Sequence, residues 1–210
     1  MRDTYIRRRF DPPLERPSLI IGLPGPGNIG RIAVKLLIEK LEAKIFAELY
    51  SPTFPDHVLI SRRGVCRLPR YEFYIAKDRS DIVILTGDGE PSVEDVTAHY
   101  ELGNDVIDFA ARLRSRRIIV VDGLQALQPT GDILVASTSK KMYAELTGMG
   151  AAQFRSGSIV GVQGLILGLA KMRRMEGTGI LISTEGLKSD RIGAFRAYEF
   201  LVRMLEKERA

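Results

Sequence analysis

The chain has 210 residues, 45% hydrophobic and 27% charged, with a formal charge of +5 and a pI near 9.4. These proportions are those of an ordinary globular protein and exclude a disordered chain, while the longest apolar run, residues 159–170, is broken by Gln163 and three glycines and falls short of the ~20 residues of a membrane span. The basic residues are scattered in short groups such as Arg62-Arg63 and Arg173-Arg174, with no stacking aromatic motif or zinc finger beside them, so no nucleic-acid partner is expected.

The N-terminal stretch has basic residues but no apolar core after them, so it does not read as a secretory signal, and a cytoplasmic protein is expected. A single cysteine, Cys66, rules out an internal disulfide and a multi-cysteine zinc centre. Asparagine only at positions 28 and 104, no tryptophan and frequent arginine point to a heat-adapted organism. The expected organisation is an N-terminal arm over residues 1–17, extended at Pro12-Pro13, followed by one α/β domain over residues 18–210.

In chain order, residues 18–22 read as a buried strand and run into a turn in which Gly25, Gly27 and Gly30 have G-x-G-x-x-G spacing. Ile29, Ile32, Leu36 and Leu37 then share a helical face. The next strand, 44–49, carries Glu48, 23 positions after Gly25, where a dinucleotide site would place its ribose ligand. Against that reading, Pro24 and Pro26 have no N–H to offer a pyrophosphate, and the strand runs into an irregular Ser-Pro-Thr-Phe-Pro loop. A structural turn is the favoured reading of Gly25, Gly27, Asn28 and Gly30, with an anion-holding turn as the alternative.

Residues 57–61 and 71–75 look extended on either side of Arg62-Arg63-Gly64 and predict a hairpin or meander inserted on the sheet. Strand 81–85 ends in Thr86-Gly-Asp-Gly-Glu-Pro, which holds Asp88 and Glu90. A helix follows, started by Ser92 and Asp95 and faced by Val93, Val96, Tyr100, Val106, Phe109 and Leu113. Strand 117–121 ends at Asp122, and further strands are expected at 133–136 and 179–182. Glycines 157, 161, 164 and 168 punctuate the entry to another helix, and the last helix should bury Ile192, Phe195, Tyr198, Val202 and Leu205. Continuous apolar runs alternating with amphipathic segments predict a mainly parallel sheet between helix layers.

Acids at the carboxyl ends of neighbouring strands form the crevice in which open α/β sheets bind ligands, so Asp88, Glu90 and Asp122 join the glycine turn as the candidate cleft of a small-molecule-binding protein or enzyme, with Asp88 or Asp122 as base or ribose ligand; the competing reading is that both aspartates only fix turns. No catalytic set is expected: His57 and His99 are the only imidazoles, the Gly157-Ser158 segment does not fit a nucleophile elbow, and Cys66 beside Arg67 reads as packing. No cofactor and no metal is expected either.

Six pieces in order, Gly22-Leu-Pro-Gly-Pro-Gly-Asn-Ile-Gly, Pro52-Thr-Phe-Pro-Asp, Gly64-Val-Cys-Arg-Leu-Pro-Arg-Tyr-Glu-Phe-Tyr, Thr86-Gly-Asp-Gly-Glu-Pro, Gly157-Ser-Ile-Val-Gly-Val-Gln-Gly-Leu-Ile-Leu and Asp190 before the last helix, resemble the proteasome-assembly-chaperone family, including its archaeal members. The resemblance implies a three-layer α/β/α sandwich similar to nucleoside phosphorylases, without an established activity. It further implies a homo-oligomer or pairing with a paralogue, and proteasome α subunits as partners guided into rings. Descriptions of such sequences as ATP-grasp enzymes require ATP-binding residues not found here. Some members dock to the α ring through a C-terminal hydrophobic-Tyr-any tail; this chain ends Leu205-Glu-Lys-Glu-Arg-Ala, with Arg209 in the tyrosine's place.

Overall fold

In the computed structural model, which describes residues 2–208, the central strands alternate in what they bury. Leu19 and Ile21 of β2 (Ser18–Ile21), Val83 and Leu85 of β7 (Arg79–Gly87) and Ile118 and Val120 of β8 (Arg117–Gln125) join one core. Ile20, Ile82, Ile84, Ile119 and Val121 join a second core on the other side. Period-two alternation with both sets apolar is what a sheet covered on both faces requires, and it produces the continuous apolar runs of the sequence. Helices α2 (Val96–Arg112) and α4 (Val162–Met172) cover the first face, and α1 (Ile29–Lys40), α3 (Lys140–Gly148) and α5 (Arg191–Lys207) the second. Aromatic rings fill the first core, with Phe73 and Phe109 edge to face at 4.6 Å.

Among the described residues the main sheet has nine strands in the order β1-β3-β6-β7-β2-β8-β11-β9-β10, where β1 is Tyr5–Arg8, β3 Lys44–Tyr50, β6 Tyr71–Ala76, β9 Ile133–Ser137, β10 Ala152–Gln153 and β11 Glu176–Thr184. Four of its pairings are parallel and four antiparallel, so the expected mainly parallel sheet is corrected to a mixed one. The reason is that an apolar run reports burial, whereas direction is set by the connection. Only Lys77 and Asp78, the latter at φ 57, separate β6 from β7, and a two-residue turn forces antiparallel pairing.

The expected inserted hairpin is also redrawn. Its two strands are β4 (Leu59–Ile60) and β5 (Cys66–Arg67), a separate small ribbon, while 71–76 joins the main sheet. Cys66 on that ribbon is exposed and not packed. The arm pairs through β1 with β3, and the tail position held by Arg209 lies outside the described residues. No helix among the described residues is long and apolar enough to cross a membrane.

Two helix faces differ from their sequence reading. On α5 the buried residues are Ala194, Ala197, Phe200, Leu201, Met204 and Leu205, whereas Ile192 and Phe195 are exposed. The small Ala194 and Ala197 lie in the second core, Leu205 is core as expected and Tyr198 and Val202 are partly buried against it, so only the first part of the expected stripe, Ile192 and Phe195, points away. On α2, capped by Asp95 accepting from the Ala98 N–H at 2.9 Å, Val106 and Phe109 are core as expected, while Val96 and Tyr100 stay exposed, and Val93, expected on the helix, stands exposed just ahead of it.

Candidate functional site

The chain leaves β2 toward α1 on one face of the sheet and leaves β7 toward α2 on the other, which makes the carboxyl ends of these adjacent strands a switch point where open α/β sheets form crevices. The glycine turn stands there. Gly27 and Asn28 are both left-handed, at φ 62 and 54. The Asn28 N–H donates to the Gly25 carbonyl at 2.8 Å, the Gly27 N–H to Gly186 at 3.3 Å, and the Leu23 N–H to Gln163 Oε1 at 3.1 Å. With Pro24 and Pro26 lacking donors, the N–H groups that a phosphate would need are largely spent inside the fold. Gly30 faces away from any crevice, against the Val121 carbonyl under α1.

Three of the sequence-predicted residues come together. A β-carbon on Gly25 would run into Asp122 Oδ1, so the absence of a side chain there is what admits the carboxyl. Asp122 is buried, its Oδ1 accepting the Gly123 N–H at 2.8 Å. Burial pushes its carboxyl up to about 8, against the Gly123 hydrogen bond and with help from the Glu90 charge. Glu90 reaches the start of α4, where a β-carbon placed on the N-cap Gly161 would lie 3.1 Å from Glu90 Oε2, and the nearby Val162 N–H acts to lower its carboxyl. Burial still raises Glu90 to about 7. Tyr71, fully buried against Phe54, has a hydroxyl with no hydrogen-bond partner among the described residues, and burial together with the Glu90 charge raises its pKa. Tyr71 and Gln163 carried no signal in the sequence, because each reaches the cluster only through the tertiary fold.

A carboxyl whose folded pKa exceeds its ordinary value stabilises the protein below that ordinary value and loses the contribution as pH rises through the folded one. For Asp122 the window runs from its ordinary 3.8 to about 8. Asp122→Asn keeps the acceptor for Gly123 and removes the ionisation. Urea unfolding at pH 5 and pH 8 should show the variant gaining on the parent as pH rises, at about 1.4 kcal/mol per unit. Parallel pH profiles for the two proteins would show that Asp122 ionises freely.

Asp88 does not join this cluster. Arg67 holds it through two hydrogen bonds at 2.5 and 2.8 Å, and the Arg70 N–H through a third at 3.0 Å. Burial acts to raise the Asp88 carboxyl, but Arg67, the Arg70 N–H and the charge of Arg31 hold it below the ordinary value. It is an ionised anchor that ties the foot of the β4–β5 ribbon to the end of β7. Glu48 is likewise no ribose ligand. It is fully buried among Arg7, Arg9 at 2.7 Å and Arg70 at 2.7 Å, so it fastens the arm to the sheet. Burial would raise its carboxyl, and the bonds from Arg9 and Arg7 bring it below normal instead. Among the described residues no group of three or more His, Cys, Asp or Glu is placed to hold a metal ion.

Residues 19–208 match the PAC2 family. An uncharacterized protein of Methanocaldococcus jannaschii is 27% identical over 182 residues, spanning 85% of this chain and 69% of that one. Among solved structures, Pyrococcus furiosus PbaB, described as an archaeal proteasome activator, superposes with a TM-score of 0.91 at 32% identity, covering 98% of this chain and 90% of its own. The fold is shared as well by Pyrococcus furiosus PbaA, described as an archaeal homolog of proteasome-assembly chaperone, at a TM-score of 0.82, 23% identity and coverages of 98% and 82%. With residues 19–208 matched, and with about a third of its residues identical to PbaB, the chain belongs to the PAC2 family.

Proposed function

We propose that this protein acts on the proteasome through protein–protein contacts, as an assembly-chaperone-like factor and not as an enzyme. The likeness to PbaB along nearly the whole of both chains carries the reading. The site chemistry agrees with it: Asp88 is consumed by Arg67 and Arg70, the turn's donors are largely spent internally, and Glu90 stands against Gly161 at the start of α4. The protein works in the cytoplasm as a homo-oligomer or with a paralogue, on a three-layer α/β/α scaffold like that of nucleoside phosphorylases, and its partners are proteasome α subunits. Ring formation by those α subunits, followed by native electrophoresis with and without this protein, tests the proposal. Faster or more complete ring formation is expected; an unchanged time course would contradict it.

A second reading rests on one observation, the buried Tyr71 hydroxyl, which has no hydrogen-bond partner among the described residues. In it Gly25, Glu90 and Asp122 hold a small polar ligand that supplies the missing partner. A ligand that co-purifies and raises the melting temperature by mass action would support it.

A further inference from the structure

The β4–β5 ribbon closes through the tight turn Ser61-Arg62-Arg63-Gly64, with Gly64 at φ 75 and the Val65 N–H donating to Ser61 Oγ at 3.1 Å. Beyond its foot at Arg67, the ribbon presents Val58, Ile60, Val65 and Leu68, each between 52% and 68% exposed. A two-stranded ribbon is marginally stable in water by itself, and four large apolar side chains on so small an element mark a surface that expects cover. Arg62 and Arg63 stand exposed at its tip, outside every ion pair among the described residues.

The start of α2 has the opposite charge and the same apolar character. Val93, Val96 and Tyr100 are 84%, 62% and 48% exposed, and beside them lie Glu94, Glu101 and Asp105, which also take part in no ion pair among the described residues. Since β3 and β7 run in the same direction, the loop that carries the ribbon and the start of α2 leave the sheet at one edge. Within a single chain both patches remain uncovered.

We propose that the ribbon of one copy of this chain seats on α2 of a second copy, with Arg62 and Arg63 against Glu94, Glu101 and Asp105, and Val58, Ile60, Val65 and Leu68 against Val93, Val96 and Tyr100. Opposite charge selects the occupant: a second copy carries the matching acidic patch. The inference is independent of the proteasome reading, because its test contains only this protein.

The test is a charge exchange followed by sedimentation velocity at low and high salt, with circular dichroism to verify that each variant is folded. Arg62→Glu/Arg63→Glu alone and Glu94→Arg/Glu101→Arg alone should each weaken self-association by about a hundredfold or more, since each sets like charges against each other. Mixing the two variants restores opposite charges and should restore the complex, and high salt should weaken the parent's association. A parent that stays monomeric at every concentration would overturn the proposal. So would variants that keep the parent's mass, or dissociation by Phe195→Glu on α5 while the ribbon reversals are silent.

Discussion

Gly30→Ala is expected to lower the stability of the protein by about 3 kcal/mol, the upper end for an overpacked core, and its melting temperature by roughly 6–12 °C. A β-carbon at this position would lie under 3.0 Å from the Val121 carbonyl oxygen, and the Gly22 α-carbon is close by. Neither neighbour is a side chain that can rotate away. Helix α1 would have to lift off β8, loosening the contacts of Ile29, Ala33 and Val34 with the second core. Because these residues bind that core to the sheet's centre, amide exchange should accelerate across α1, β2 and β8 together. A loss below 1 kcal/mol would mean that α1 does not rest on β8 as closely as described.

Glu48→Ala should cost about 3 kcal/mol by a different route. The substitution removes the one carboxylate that Arg7, Arg9 and Arg70 share, and leaves Arg70, largely buried, with Glu72 as its remaining acidic partner. Arg7 and Arg9 are half exposed and can return to water, which limits the loss. The damage should be local. Amides of β1, and the Arg9 N–H that bonds the Phe46 carbonyl at 2.7 Å, should exchange like an unpaired chain while β2 and β8 stay protected. In the parent, Glu48 carries a pKa held below the ordinary carboxylate value, so its contribution is present above that ordinary value and lost as pH falls through the depressed one. Uniform deprotection in Glu48→Ala would contradict the anchoring role.

These two residues also show what the sequence makes legible. Gly30 stands in a motif that reads as a phosphate cradle, and its glycine is required instead by the approach of helix to strand, one of the motif's packing demands in any case. Glu48 has the spacing of a ribose ligand, but two of its three partners, Arg7 and Arg9, come from an arm about 40 residues upstream and the third, Arg70, from a later strand approach, and no local pattern announces that pairing. The central strands were readable because burial on both faces leaves continuous apolar runs. Helix α3 was not: it buries only Met142 and Leu146, too few to set a period, and its Ser139 cap is a short signal. The faces of α2 and α5 misled because each helix carries a second apolar stripe that the monomer leaves uncovered. Of the candidate cleft residues, Gly25 could be singled out from its glycine spacing and Glu90 and Asp122 from their places after strands, and the structure brings these three near one another. Gln163, bonded to Leu23 across 140 residues, required the closed fold.

Native mass spectrometry of the protein, alone and mixed with proteasome α subunits from the same organism, tests the central claim most directly. A mixed complex of defined stoichiometry is predicted. Species that remain unmixed at every ratio, with a small molecule retained on this chain, would contradict a role exerted through the proteasome and favour the small-ligand reading.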